Sequence, residues 1–128
     1  SGKVITKGEF FDGMKEGKWF YEIQDYREEG IYKNDQKDGP WESYYVENSQ
    51  VRFAGKFVEG FPDGKHSYYF YDGKLKEEGK YIMGNKDGNW EYYNPDGTML
   101  LTITFKNNRE VKFDGTKVKP LLPGESVK

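Results

Sequence analysis

The chain has 128 residues, of which 33% are charged, and its net charge is −2. A chain of this length fits a single domain. Its charge balance lacks the basic excess with which proteins bind nucleic acid or anionic lipid. The absence of cysteine excludes a disulfide framework and thiolate metal sites, and no apolar run approaches the roughly 20 residues of a membrane span. Only 34% of the residues are hydrophobic but 18% are aromatic, so a core must be built mainly from rings.

The first recurring element is Gly-x-(Phe/Tyr), which predicts the start of a structural unit. Its copies are Gly8 with Phe10, Gly30 with Tyr32, Gly55 with Phe57, and Gly79 with Tyr81. The copies are 22, 25 and 24 residues apart, and a trailing half-unit begins near residue 103. A pattern that recurs at a nearly fixed period is typical of a building unit of the fold, not of a single site.

A second element, Gly-x-(Trp/His), follows the first glycine of each unit at a constant distance. Its rings are Trp19, Trp41, His66 and Trp90, each eleven residues after that glycine. We expect each ring to cover the backbone at a neighbouring first glycine, where a larger side chain would collide. All variation in unit length falls after the ring, as expected for a surface turn that joins rigid segments.

Residues that tolerate a positive φ separate the two elements within each unit. They are Gly13, Asp35, Gly60, Gly84 and Asn108, with a further glycine four residues later in four units, at Gly17, Gly39, Gly64 and Gly88. We interpret each such pair as the tight connection of a β-hairpin. A second connection in each unit is predicted at residues 24–25, 47–49, 72–73 and 94–97.

These units predict an all-β fold, a single-layer twisted antiparallel sheet of about nine to ten strands built from tandem β-hairpin repeats. No segment between the turn residues has the length or the 3.6-residue spacing of a helix. The repeat domain is assigned to residues 1–115. Residues 116–128, which contain two prolines, are predicted to form an extended tail.

Side chains alternate along a strand, which predicts two different faces of the sheet. One face is expected to carry both rings of each unit and the residue four before the first glycine: Val4, Tyr26, Val51, Leu75 and Met99. Tyr44, Tyr69 and Tyr93 each follow a Trp or His by three residues and are expected in a row on the other face, beside Glu42, Ser67 and Glu91. Tyrosine is favoured at interfaces, so this row is a candidate binding surface. Packing of the tyrosines on their neighbours across the sheet is the alternative.

The segments Asp87 to Leu100 and Gly64 to Gly84 carry the pattern Asp-Gly-x-Trp-x-x-Tyr-Tyr, a turn ending in Gly, and Glu-x-Gly-x-Tyr-x-x-Gly. Over about residues 8–110 the sequence resembles the MORN repeat in its bacterial variant form, as in the YwqK-like antitoxin family. The resemblance implies single-layer hairpins and a role in protein–protein contacts or scaffolding, with lipid binding in some members. The family motif contains no catalytic residue, so none is carried over. His66 in place of Trp departs from the pattern, as does Ser49-Gln50 in place of an Asp-Gly turn.

Few residues are candidates for chemistry. His66 is the only histidine, which excludes a multi-histidine metal site or a His-based relay. It is interpreted as a packed ring, with a contact in a binding groove as the alternative. Asp38, Asp63 and Asp87 are expected roughly 10 Å apart, too far to share a proton or a metal ion, and are interpreted as turn residues. No catalytic residue, metal or cofactor is predicted.

The favoured hypothesis is a non-enzymatic repeat module that binds another protein along its sheet face or at an open edge strand. Pairing of an edge strand with a second copy of the chain is one form of it, and an antitoxin-like role is another. The first alternative is a carbohydrate- or lipid-headgroup-binding module that uses the aromatic row, and the second is an enzyme with a carboxylate pair. Neither nucleic acid nor a membrane is an expected partner. The compartment stays open, cytoplasmic or exported if a signal peptide preceded Ser1.

Overall fold

The computed structural model describes residues 4–115 as one antiparallel sheet of ten strands. The strands are β1 (Val4–Phe11), β2 (Met14–Ile23), β3 (Tyr26–Lys33), β4 (Gln36–Tyr45), β5 (Val51–Val58), β6 (Phe61–Tyr69), β7 (Leu75–Ile82), β8 (Asn85–Tyr93), β9 (Met99–Lys106) and β10 (Arg109–Gly115). They are hydrogen-bonded in chain order, and this part of the chain contains no helix, hence none that could span a membrane. The predicted all-β single layer is confirmed. The tail predicted for residues 116–128 lies outside the described residues.

Two-residue turns join the strands of each hairpin. Both turn residues have a positive φ, for example 51° and 76° at Asp12 and Gly13, and 51° and 67° at Asn34 and Asp35. Two consecutive positive φ values are the mark of a type I′ turn, whose twist suits the flanking antiparallel strands. The turn positions predicted at Gly13, Asp35, Gly60, Gly84 and Asn108 are confirmed.

The second glycine of each unit does not belong to this turn, which corrects the interpretation from sequence. Gly17, Gly39, Gly64 and Gly88 lie inside β2, β4, β6 and β8, with φ values of 73°, 116°, 80° and 77°. Gly55 pairs with His66 and Lys56 pairs with Asp63, so that Gly64 and Lys65 have no partner in β5. The two extra residues form a β-bulge, which re-aims the ring that follows it.

A second correction concerns the residue four before the first glycine, which in three units lies on the opposite face from the one expected. Val51 pairs with Tyr44 whereas Phe53 pairs with Ser43, so that Arg52 is an extra residue in β5. Because paired residues point to the same side of a sheet, the extra residue reverses the alternation. The same shift occurs in the two following units, at Leu75 and Met99.

Consecutive hairpin turns are bonded to one another along one edge of the sheet. The amide of Asp35 donates to the carbonyl oxygen of Lys15 at 3.1 Å, and the Asp35 carboxylate accepts from the amide of Lys15 at 2.7 Å. The amides of Gly60, Gly84 and Asn108 donate to the preceding unit in the same way, at 2.8, 2.8 and 2.9 Å. Each unit is therefore tied to its predecessor by its turn as well as by strand pairing.

The core is formed by the Trp and His rings of the second sequence element, together with Phe53 and Phe105. Trp90, Trp41 and His66 are 0%, 1% and 1% exposed, and Trp19 is also buried. A single sheet has no second layer to cover it, so these rings must be covered by side chains of their own face. How they are covered decides which face is free for a partner.

Candidate functional site

The two faces of the sheet differ in chemistry. We call the face with Trp19, Trp41, His66 and Trp90 the ring face, and the face with Tyr44, Tyr69 and Tyr93 the tyrosine face. Trp41 and Tyr44 lie three residues apart in β4, in an unbroken register with β3, so they point to opposite sides. The predicted tyrosine row on the other face is therefore present.

Each ring of the ring face lies directly over the first glycine of its unit. A Cβ atom added to Gly30 would be 2.1 Å from Cδ2 of Trp41. The corresponding distances are 2.0 Å at Gly8 under Trp19, 2.5 Å at Gly55 under His66 and 2.1 Å at Gly79 under Trp90. Contacts this close admit only glycine, which confirms the expectation drawn from the repeat.

The ring nitrogens are hydrogen-bonded inside the sheet. Nε1–H of Trp41 donates to the carbonyl oxygen of Ile31 at 3.0 Å. Trp19, His66 and Trp90 reach the carbonyl oxygens of Glu9, Lys56 and Lys80 in the same way, at 3.0, 2.8 and 3.1 Å. Because a carbonyl oxygen only accepts, Nε2 of His66 carries the hydrogen. These bonds tie each ring to the strand that precedes it, so the ring series has a structural role.

Lysines cover three of the four rings. Nζ of Lys15, Lys37 and Lys86 lies 5.1, 4.4 and 4.6 Å from the ring centroids of Trp19, Trp41 and Trp90. These distances are within the roughly 6 Å range of a cation–π interaction. The lysine stems also shield apolar ring surface from water. The ring face is thus closed by its own side chains.

The third unit replaces this arrangement with a different packing. Pro62 stands where the other units have the covering lysine, and His66 stands where they have Trp. Phe53 occupies the position of Glu28 and Glu77, is buried, and packs on His66 with 5.3 Å between ring centroids. The phenyl ring fills the volume lost between indole and imidazole. Aligning the units by their glycines would reveal these three coupled changes, which a comparison at His66 alone misses.

His66, a candidate for a binding groove, lies inside the column of rings. It is 1% exposed, and its ring meets Tyr81 edge-to-face with 4.9 Å between centroids. Burial lowers the pKa of His66 from its usual value near 6.5. In the folded protein the ring is therefore neutral at neutral pH and offers almost no surface to a partner.

We expect acid to destabilise the protein through His66. The folded pKa is below the unfolded one, so the unfolded chain takes up a proton that the folded protein refuses. The stability contribution of the neutral ring is then complete above about pH 6.5 and is lost as the pH falls below it. Urea denaturation at pH 7.5 and pH 5.5 should show a larger loss for the natural protein than for His66→Gln, whose side chain does not titrate. Equal losses in the two proteins would contradict the prediction.

On the tyrosine face, carboxylates of the same strand hold two of the tyrosine hydroxyls. The hydroxyl of Tyr44 donates to Oε1 of Glu42 at 2.9 Å, and that of Tyr93 donates to Oε1 of Glu91 at 3.3 Å. Burial and the bond to Glu42 raise the pKa of Tyr44 to about 12. Burial and the charge of Glu91 raise the pKa of Tyr93 as well. Both tyrosines stay protonated at neutral pH, each beside a fixed negative charge.

The third member of the row has a different neighbour. Tyr69 is half-buried, and its carbonyl oxygen accepts from the hydroxyl of Tyr45 at 3.1 Å. Ser67, which stands where the other strands have Glu42 and Glu91, is buried and donates to a glutamate of β7 at 2.7 Å. A tyrosine–glutamate pair therefore lies at each end of the row, at Tyr44 and at Tyr93. At the middle position, Tyr69, the neighbour in the same strand is the uncharged Ser67.

Two pairs of glutamates lie directly opposite each other on the tyrosine face. Glu29 pairs with Glu42 across β3 and β4, and Glu78 pairs with Glu91 across β7 and β8. Nζ of Lys65 lies 3.3 Å from Oε2 of Glu78, an ion pair in which the lysine is largely exposed. Sequence analysis placed Glu42 and Glu91 beside the tyrosines but missed their partners, because the partners follow from the strand register and not from spacing along the chain.

The aspartates interpreted as turn residues lie inside strands, Asp38 in β4, Asp63 in β6 and Asp87 in β8, which corrects that interpretation. Carboxylates of Asp38 and Asp63 accept from the amides of Glu59 and Met83 in the next turn, at 3.0 and 3.1 Å. Asp87 forms an ion pair with a lysine of β7 at 3.8 Å. Across residues 4–115 no group of three or more His, Asp or Glu side chains is arranged to hold a metal ion.

A cavity that sequence analysis missed lies at the edge formed by the longer connections. It has a volume of about 550 Å³ and is lined by Gln24, Asp25, Tyr45, Val46, Glu47 and Tyr71. The rings of Tyr45 and Tyr71 meet edge-to-face with 5.1 Å between centroids, and the Tyr71 hydroxyl donates to Glu47. The cavity joins connections from different units, so spacing along the chain could not reveal it.

Comparison with known proteins adds no assignment to this geometry. No protein-family model matches the sequence, and no curated protein matches it. The repeat geometry and the two faces are therefore the basis for a proposed function.

Proposed function

We propose that the protein is a non-enzymatic interaction module whose tyrosine face binds a basic surface of another protein. The observation that carries the proposal is the pair of cross-strand glutamate contacts beside Tyr44 and Tyr93. MORN-like scaffolding, with an antitoxin-like role as a special case, is the functional class that we propose for it.

The glutamate pairs do not help the sheet to fold. Like charges that face each other across an antiparallel pair are destabilising. At the second pair Lys65 and Ser67 already stabilise the Glu78 carboxylate, so the repulsion is stronger between Glu29 and Glu42. Cations of a partner would neutralise the charge that remains at both pairs. Arginine and lysine side chains of a docked protein would supply those cations, and arginine can do so in a bidentate geometry.

The tyrosines suit the same role. Their hydroxyls are already bonded to Glu42 and Glu91, so a partner would meet a ring of fixed orientation next to a carboxylate. Cations also bind over tyrosine rings, and Arg27 of this chain lies 5.9 Å from the Tyr44 centroid, an internal example of such a contact. The ring face offers less, because its indoles are buried beneath lysines.

We expect removal of two carboxylates to weaken partner binding without weakening the fold. The variant is Glu42→Gln with Glu91→Gln, which leaves one glutamate in each pair. Captures from a lysate of the source organism with natural and variant protein should recover the same basic protein, with at least tenfold less on the variant. The melting temperature of the variant should be equal or higher, because repulsion is removed.

A matched control carries the same change of charge on the other face. Glu77 and Glu110 pair with aromatic residues of the ring face, so Glu77→Gln with Glu110→Gln should leave capture unchanged. A protein recovered equally by both double variants would contradict the assignment of the tyrosine face. Reproducible binding of a glycan or lipid in place of a protein would contradict the proposed function and favour a ligand-binding module.

A further inference from the structure

Among the strands of residues 4–115, the first and the last have edges that are unpaired and of complementary type. Within residues 4–115, β1 and β10 each pair on one side only. Each of the remaining odd-numbered strands pairs with the even-numbered strand before it, and each of the remaining even-numbered strands pairs with the odd-numbered strand after it. We propose that β10 of one molecule pairs with β1 of a second copy, head to tail, so that the repeat continues across the boundary between molecules.

The repeat fixes the register of this junction. At each internal junction the ring position pairs with the first position of the next unit: Trp19 with Gly30, Trp41 with Gly55, His66 with Gly79, and Trp90 with Ile103. In β10 the ring position is held by Phe113, since Phe113 pairs with Ile103 as Trp41 pairs with Gly30. The same rule places Phe113 opposite Gly8 of the second copy.

In that register the facing side chains are complementary. Lys112 lies opposite Glu9 of the second copy, and Asp114 lies opposite its Lys7. Val111 lies opposite Phe10, and these two apolar side chains are 59% and 63% exposed in the single chain. Cross-strand pairs of opposite charge are stabilising, and pairing would also cover the exposed apolar groups.

Neighbouring registers lack this complementarity. A shift of two residues is the smallest that keeps the faces of the two sheets aligned. In one direction it places Asp114 opposite Glu9, and in the other it places Lys112 opposite Lys7. Both shifts create like-charge pairs, so the register that continues the repeat is also the one that the charges select.

The junctions inside the chain have no opposite-charge pair at the two positions that flank the ring. The pairs there are Lys18 with Ile31 and Phe20 with Glu29, Pro40 with Lys56 and Glu42 with Ala54, Lys65 with Lys80 and Ser67 with Glu78, and Asn89 with Thr104 and Glu91 with Thr102. Chain connectivity specifies an internal junction, whereas a junction between molecules needs side chains to specify partner and register. Charges on edge strands can also oppose association, but the order of signs on β1 and β10 matches.

Head-to-tail pairing also extends the bonds between turns. Oε1 of Glu16 accepts from the amide of Asn34, in the turn of the next unit, at 2.8 Å. The turn at Asp12 and Gly13 is the first-unit counterpart of the turn at Asn34 and Asp35, so head-to-tail pairing places it at the same edge as the turn at Asn107 and Asn108 of the preceding molecule. Pairing of two β1 strands or of two β10 strands would place the turns at opposite edges and lose these bonds. The junction is heterologous, so the assembly should extend beyond a dimer, as an open chain of molecules or as a ring.

Charge exchange between the two edges tests the proposal. Sedimentation velocity of the full chain at low ionic strength should show dimers, trimers and larger species whose share rises with concentration. Glu9→Lys and Lys112→Glu should each lower the association constant roughly fivefold or more, because each turns an attractive pair into a repulsive one. The double variant Glu9→Lys with Lys112→Glu should restore association, since the two changed side chains face each other between copies.

The double variant separates head-to-tail pairing from its competitors. In pairing of two β1 strands only Glu9→Lys would matter, in pairing of two β10 strands only Lys112→Glu would matter, and in neither case would the second change rescue the first. Either pattern would overturn the proposal, as would a natural protein that stays monomeric at millimolar concentration. Both residues are exposed, and unchanged circular dichroism and melting would show that each variant is folded. The association measured here does not depend on the tyrosine face, so the outcome of the partner-capture experiment would not change its interpretation.

Discussion

Replacement of Trp41 by alanine is expected to lower the free energy of unfolding by about 3–5 kcal/mol. The indole is 1% exposed, lies over Gly30, and donates to the carbonyl oxygen of Ile31. Alanine would leave a cavity, orphan that carbonyl oxygen within the sheet, and uncover the ring of Tyr32, whose centroid lies 5.1 Å from that of Trp41. Total stabilities of domains are about 5–15 kcal/mol, so the loss is a large part of the whole.

The loss should spread beyond one hairpin. Trp41 pairs with both neighbouring strands, β3 and β5, through the two first glycines of the second and third units. In a sheet where each unit contacts only its neighbours, a defect in a central unit weakens the coupling on both sides. Urea denaturation followed by tyrosine and tryptophan fluorescence should show a lower midpoint, or two transitions if the halves separate.

A matched control is available at an exposed ring. Phe11 is 69% exposed, so Phe11→Ala should change stability by no more than about 0.5 kcal/mol. Equal melting curves for the natural protein and Trp41→Ala would mean that the ring column does not hold the sheet. A large loss in Phe11→Ala would mean that stability depends on exposed aromatic surface.

The periodic glycines predicted the strand order well, because a residue that must be glycine or must have positive φ leaves a mark in the sequence. The same mark was ambiguous for Gly17 and its equivalents. A positive φ suits both a hairpin turn and a bulge, and only strand pairing shows that these glycines lie inside strands. The face of Val51 was wrongly predicted because one extra residue, Arg52, reverses the alternation without any composition signal.

The candidate site was predictable in part. Alternation along single strands was enough to place the tyrosines opposite the tryptophans. Prediction of the glutamate pairs requires the register between strands. Prediction of the cavity beside Tyr45 and Tyr71 requires the packing of connections that are far apart in sequence. Function was less accessible than fold, since repetition identifies what builds the sheet and says little about what the sheet binds.

Replacement of Gly30 by alanine is expected to destabilise the protein, although alanine normally suits a strand better than glycine. Glycine inside a strand costs roughly 0.5–1 kcal/mol relative to alanine, so a free site would gain stability from the change. At Gly30 the added Cβ atom would be 2.1 Å from Cδ2 of Trp41, so the indole must leave its place. Overpacking of this kind costs about 1–3 kcal/mol and sometimes more.

The double variant Gly30→Ala with Trp41→Ala separates the collision with the indole from general damage to the strand. Without the indole nothing occupies the space above Gly30, and alanine there should be neutral or stabilising by roughly 0.5–1 kcal/mol. The sign of the Gly30→Ala effect is therefore expected to reverse between the two backgrounds. Gly55→Ala should cost less than Gly30→Ala, because its Cβ atom would meet the smaller ring of His66 at 2.5 Å. Additive losses in the double variant would show that glycine is needed at this position for its backbone and not for the ring above it.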